Sequence, residues 1–288
     1  MWTVFVAFVV ALVAGLLAGG IVPLMVIVAQ GGGHFQSGET IREKLLAEVS
    51  RPAILLTSGA ATQTMLLLTA LSAAILSPVP VVRRLRLNPS SLSPFGYLVA
   101  PIGATAVSFL FAGLVALLKI PESGTLKLLG ESIRRLSPIE VVAGVLIVGV
   151  MPGFAEEFVF RGYAQTRLVE RWGRWPGIVI ASALFGVMHL DLLQGTFAMG
   201  FGLYIGYVAE KARSIRPTMV CHAVNNSIQV FLGRFAAGSD PQTRPSQAAL
   251  LALGALAVLV LCTMYIYFRV NPPVDDLDPA LAEGAAGS

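Results

Sequence analysis

Charge is what this chain of 288 residues has least of: Asp, Glu, Lys and Arg make up 12% of it, where a soluble domain carries about 25%. So few charges cannot cover a globular surface, which excludes a soluble globular protein. The formal net charge of +4 does not make a nucleic-acid-binding face either, because the Arg and Lys residues gather at the ends of apolar runs, where membrane proteins use them to set orientation. Cysteine is nearly absent. Cys221 and Cys262 both lie inside apolar segments, so they are read as small buried hydrophobes and imply no disulfide framework. The opening stretch, MWTVFVAFVVALVAGLLAGGIVPLMVIVAQ, lacks a basic n-region and is longer than a signal-peptide core, so it is read as a retained span.

What is abundant is hydrophobic sequence, 56% of the chain. Windows of about 20 residues with few or no charges are long enough to cross a hydrocarbon core as helix. Eight such candidates cover roughly 2–29, 53–77, 95–118, 139–160, 176–193, 195–210, 217–233 and 247–268. The fold class expected is therefore all-α, a polytopic transmembrane bundle of about eight spans. Four parts follow: N-terminal spans with an interfacial segment at 37–52 (1–135), a core interrupted by polar groups (136–235), a last span (236–270) and a disordered acidic tail (271–288). Basic clusters at 83–86, 167–174 and 211–216 fall in alternate loops. With eight spans all three share one side, the cytoplasmic one, and both termini lie there too.

The fourth segment begins with SPIE, where Ser137 as N-cap, Pro138 at N1 and Glu140 at N3 form a capping box. No stop signal appears before Gly173, so this helix is expected to run from 138 to about 171. Inside it lies EEFVFR. Glu157 and Arg161 are four residues apart and share a helix face in the order that suits an ion pair. Glu156 is turned about 100° away and has no such partner in its own helix. An unpaired carboxylate in a low-dielectric site suits general acid or base work near neutral pH.

Two further polar groups interrupt later apolar segments. FGVMH places His189 one turn after Phe185, and HAVNN places His222 and Asn226 on one face with Asn225 turned away. The third histidine, His34, sits in the glycine-rich QGGGHF and is given no role. Glu156 and His189 lie about sixteen residues to either side of the turn near Gly173, so two antiparallel helices would bring them level, about 24 Å from it. Each group alone has a plain reading: a solvated helix end for the glutamates, a hydrogen-bonded core histidine for His189, interhelical glue for His222 and Asn226. Ionisable side chains inside spans are costly, however, and together they mark a functional cavity.

The ordered trio EExxxR, FxxxH and HxxxN, over about residues 139–230, resembles the CPBP family of type II CAAX prenyl proteases and bacteriocin-processing enzymes, also called Abi proteins. The resemblance implies that residues 136–235 are a catalytic core and that Glu156 activates the attacking water with help from His189. It implies that His222 and Asn226 stabilise the oxyanion, with Glu157 and Arg161 in support. The expected function is an intramembrane endopeptidase cleaving near the cytoplasmic surface, with a plasma-membrane location, a bilayer around it and no nucleic-acid partner. Its substrate is a peptide or membrane protein; a prenylated CAAX peptide and an unprenylated leader peptide both stay open.

Two histidines and one or two glutamates are also the ligand set of a catalytic zinc, which would fall to Glu156, His189 and His222. The ligands lack HExxH spacing and Asn is a poor zinc ligand, so no cofactor is favoured and zinc is the alternative. Outside hydrolysis, the same side chains would serve a transporter or proton relay, or remain in a catalytically silent scaffold or immunity protein.

Overall fold

The computed structural model describes residues 2–31, 47–48, 50–121, 124–235 and 245–270. His34, residues 37–46 of the expected interfacial segment and the tail 271–288 lie outside them. The described chain is all helix and connecting turns. Besides a single turn at Val81–Arg84, its helices are α1 (Trp2–Gly31), α2 (Pro52–Ile75), α3 (Gly96–Leu117), α4 (Gly124–Arg134), α5 (Pro138–Trp172), α6 (Arg174–Met188), α7 (Leu192–Ala212), α8 (Arg216–Phe235) and α9 (Pro245–Arg269).

Helix α5 starts and stops where the sequence says it should. Ser137 and Glu140 close the capping box, the Ser137 N–H donating to the Glu140 carboxylate at 2.8 Å, with Pro138 at the first position. It ends at Gly173, whose φ of +86° suits glycine and lets α6 fold back. Between these points two π-helical stretches, Val145–Val150 and Phe158–Gln165, bracket the α-helical segment Met151–Glu157 that carries both glutamates. Such stretches cluster at functional sites.

Eight spans were expected; among the described residues six helices, α1, α2, α3, α5, α7 and α9, are long and apolar enough to cross a membrane. The other two exist as helices but fail for different reasons. Helix α6 has 15 residues, about 22 Å, against a hydrocarbon core of about 30 Å. Helix α8 has 20 residues but carries Arg216, His222, Asn225, Asn226 and Arg234. A helix whose polar side chains face other helices needs no lipid-like hydropathy: Asn225, buried, accepts from Ser108 of α3 at 2.6 Å.

Glycine sets the close approaches, as it does where membrane helices pack without a hydrophobic driving force. A Cβ on Gly149 would lie 2.5 Å from Ser227 Oγ, and one on Gly153 would lie 2.8 Å from the Met219 carbonyl. Helices α5 and α8 therefore touch backbone to backbone along this pair. Helix α1 docks on α2 through Gly15, whose carbonyl accepts from Thr62 Oγ1 at 3.2 Å, and through Gly19. The main apolar core, with Leu66, Phe160, Phe185, Phe201 and Ile205, lies where α2, α5, α6 and α7 meet.

The three basic loops sit together at one end of the bundle. Arg86 pairs with Glu210, Arg84 lies 3.8 Å from Glu170, and Ser214 donates to the Asn88 carbonyl at 2.7 Å. Gln165 of α5 donates to Glu210 at 2.8 Å and to the Gly206 carbonyl at 2.9 Å, which locks α5 to α7 at the same level. Cys221 and Cys262 are buried and unbridged, as expected.

Candidate active site

The two adjacent glutamates have opposite surroundings. Glu157 is fully buried, and one of its oxygens, Oε1, accepts from Arg161 Nη1 at 3.0 Å and faces His222 Nδ1 at 3.0 Å. Arg161 is also fully buried, with its guanidinium 4.4 Å from the centre of the Phe185 ring. The ion pair expected from the spacing is formed, and its burial rules out a solvated helix end. Glu156 is only partly buried. Its Oε1 accepts from Gln63 Nε2 of α2 at 2.8 Å, and its Oε2 lies 3.7 Å from His222 Nε2.

His222 thus stands between two carboxylates, each addressed by a different ring nitrogen. A carboxylate oxygen accepts, so Nδ1 carries the hydrogen toward Glu157. Nε2 is the nitrogen that looks to Glu156. The His189 Nδ1 lies 2.9 Å from the Phe185 carbonyl and must donate to it, which leaves the Nε2 lone pair of a neutral imidazole open. Phe185 is the common packing surface: its ring centre is 5.0 Å from that of His189 and 5.8 Å from that of His222.

His189 is held at the end of α6 by a tight turn into α7. Leu190 takes a left-handed conformation with φ of 53°, and Asp191 caps α7 by accepting from the Gln194 N–H at 2.8 Å. Gly186 and Gly195 let the two backbones touch, since a Cβ on Gly186 would meet the Gly195 carbonyl at 2.6 Å. This hairpin stops level with Glu156, as the count from Gly173 predicted.

Glu156 and His189 line one cavity of about 510 Å³, with Met188 beside them, Thr62 and Leu66 from α2, and a wall of α1 that includes Gly15, Gly19, Gly20 and Pro23. His222 and Asn226 are not in that wall. His222 lies buried behind Glu156, and Asn226, one turn further along α8, donates from Nδ2 to the Val148 carbonyl at 3.4 Å. That carbonyl is one turn before Pro152, which has no N–H to give it. A larger groove of about 830 Å³ opens on another face of α8, against α3 and α9, but no carboxylate, histidine or cysteine lines it. The smaller cavity is the chemical one.

Gln63 was not anticipated. It is 93 residues from Glu156 in sequence, in a helix without a motif, and its only signal was the one amide in a span with no charged residue. The zinc alternative finds no preformed cage: among the described residues no three His, Cys, Asp or Glu side chains are grouped to hold a metal ion.

Residues 138–228 match a family model described as Rce1-like, type II CAAX prenyl endopeptidase. This segment is similar to the CAAX protease family. The match runs from the first residue of α5 into α8 and contains Glu156, Glu157, Arg161, His189, His222 and Asn226. No curated protein and no solved structure matched the chain. Helices α1 and α2 lie outside the segment similar to CAAX proteases, yet they supply most of the cavity wall and the hydrogen bond to Glu156.

Proposed function

We propose that the protein is an intramembrane endopeptidase in which Glu156, with His189, activates a water molecule for attack on a peptide carbonyl. The observation that carries this reading is the placement of the Glu156 carboxylate and the His189 imidazole on one cavity wall, backed by the buried His222 at 3.7 Å from Glu156. Water gives its proton to the glutamate as its oxygen bonds to the carbonyl carbon. The carbonyl π electrons move onto oxygen to form a tetrahedral oxyanion. The proton then passes to the amide nitrogen, the C–N bond breaks, and a carboxylic acid and an amine leave.

The oxyanion falls to His222 and Asn226. With its Nδ1–H held by Glu157, His222 offers an oxyanion an N–H at Nε2 as the imidazolium, in which both ring nitrogens donate. The Asn226 amide accepts from Asn225 Nδ2 at 3.2 Å and donates one N–H to the Val148 carbonyl at 3.4 Å; its other N–H is the second donor. A single donor of this kind contributes on the order of 3 kcal/mol. We further propose that the reaction needs no metal and that the substrate is a peptide or membrane-protein segment, prenylated or not. The protein is assigned to the plasma membrane with its basic end and both termini cytoplasmic, and cleavage occurs near that face.

The test uses the protein purified in detergent and a library of internally quenched peptides with prenylated and unprenylated members. The wild type is expected to cleave a subset. Glu156→Ala and His189→Ala are expected to lose turnover by about 10²- to 10⁴-fold while keeping the thermal unfolding profile, and a chelator is expected to change nothing. Ion flux or binding without cleavage would instead support a transporter. A phenotype retained in both variants would leave a scaffold, cleavage retained in both would strike Glu156 and His189 from the catalytic assignment, and a chelator effect reversed by zinc would move the mechanism to a metal.

A further inference from the structure

Helix α2 has no charged residue, and its polar side chains are hydroxyls except at Gln63, which stands at its middle between Thr62 and Thr64. The two threonines need no distant side chain: Thr64 Oγ1 donates to the Ala60 carbonyl at 2.7 Å, and Thr62 Oγ1 to the Gly15 carbonyl at 3.2 Å. Gln63 differs. It is buried, 9% exposed, and its Nε2 reaches out of its own helix to Glu156 Oε1 at 2.8 Å. A carboxylate oxygen can only accept, so the amide must present its N–H here and turn its carbonyl away. That carbonyl is buried, and among the described residues no donor holds this far end of the amide. A primary amide buried in a membrane helix with half its capacity unused is a poor structural element, and an apolar side chain of the same size would pack there at less cost.

The two oxygens of Glu156 therefore have separate fates. Oε1 is pinned by Gln63. Oε2 is the one nearer His222, on the side chain that shares its cavity with His189. Glu157 has Arg161 to fix it from within α5; Glu156 has no partner in that helix, and Gln63 takes the place of one. We propose that Gln63 is a positioning residue for hydrolysis, fixing the carboxylate torsion of Glu156 so that Oε2 meets the attacking water. This rests on the reading of Glu156 as the water-activating base, and it extends the working site to a helix outside the matched family segment.

The experiment compares wild type, Glu156→Gln, Gln63→Met and Gln63→Asn as full-length protein in detergent, on the library peptide that the wild type cleaves fastest. Met keeps the size of Gln and removes the donor; Asn keeps an amide donor but sets it back by one methylene. Gln63→Met is expected to lower kcat by roughly 10- to 100-fold, as misplacement of a reacting group does, with KM within about twofold of wild type. Gln63→Asn is expected to fall between Gln63→Met and wild type. Wild-type kcat in Gln63→Met overturns the proposal, as does a loss that appears in KM, or Gln63→Asn no better than Gln63→Met. Should Gln63→Met fail to fold, Gln63→Asn at wild-type kcat, or with its loss in KM, overturns it equally, and a reduced kcat at unchanged KM upholds it. A wild type that cleaves nothing, or a Glu156→Gln variant that stays active, brings down the base assignment instead. Glu156→Gln dead beside an unaffected Gln63→Met leaves that assignment standing and removes only this inference.

Discussion

Glu156 and Glu157 are neighbours in sequence with the same side chain, and the fold divides labour between them by what it packs around each. Glu157 has a guanidinium and an imidazole at 3.0 Å and no exposure, which makes it a fixed charge. Glu156 borders a cavity and is held by a neutral amide, which leaves an oxygen for chemistry. Breaking the buried pair is expected to be expensive: Arg161→Met should cost about 3–5 kcal/mol, because the Glu157 charge stays buried without its cation. Thermal unfolding in detergent checks this. Arg161→Lys should recover only part, since a point charge lacks the flat face that lies on Phe185, and Glu157→Gln combined with Arg161→Met should recover more than either alone. An unfolding midpoint for Arg161→Met equal to wild type would show that the pair is unimportant to the fold. The Glu157–Arg161 pair was legible because helix periodicity alone brings residues four apart together. The Gln63–Glu156 bond was not, because it joins two helices and no local pattern encodes which face of α2 meets α5.

At the level of elements, the distance between Glu156 and His222 is set by how closely α5 and α8 approach, and Gly149 and Gly153 set that. A methyl on Gly153 would meet the Met219 carbonyl at 2.8 Å and the Ala223 N at 2.9 Å, both backbone atoms that cannot swing aside. Gly153→Ala is therefore expected to push α8 outward and cost about 1–3 kcal/mol, with peptide cleavage reduced more than fold content. Circular dichroism beside a cleavage assay separates the two. Retained wild-type cleavage would mean that the helix contact does not tune the site. Helix existence, the start and end of α5 and the hairpin register that levels His189 with Glu156 were all readable from caps, glycines and the 1.5 Å rise. The span number was not. Hydropathy windows cannot tell a helix facing lipid from one such as α8 that is screened by its neighbours, and α6 looks apolar enough until its 15 residues are measured against a bilayer. The π-helical stretches beside the glutamates were equally invisible, because Pro152 removes one donor without announcing how the turns around it rearrange.

Over the whole molecule, the polarity of the bundle decides from which side a substrate arrives. Three basic loops distant in sequence meet at one end, tied by Arg86 to Glu210 and by Arg216 Nε donating to the Leu87 carbonyl at 2.9 Å. In the orientation proposed above, which follows the positive-inside rule, that end is cytoplasmic. Helix α5, 35 residues long or about 52 Å, exceeds the ~30 Å hydrocarbon core, and its charged last turns are the part that the proposed orientation leaves clear of the lipid. The cysteine distribution makes the orientation measurable, since Cys221 and Cys262 are both buried and the native protein should be silent to a membrane-impermeant maleimide. Arg171 is exposed on the protruding turn, and Arg171→Cys should react in inverted membrane vesicles and stay protected in right-side-out ones. Labelling from the outside alone would turn the bundle over. The proposal that cleavage occurs near the cytoplasmic face would then lose its basis, because it rests on placing the basic end of the bundle in the cytoplasm.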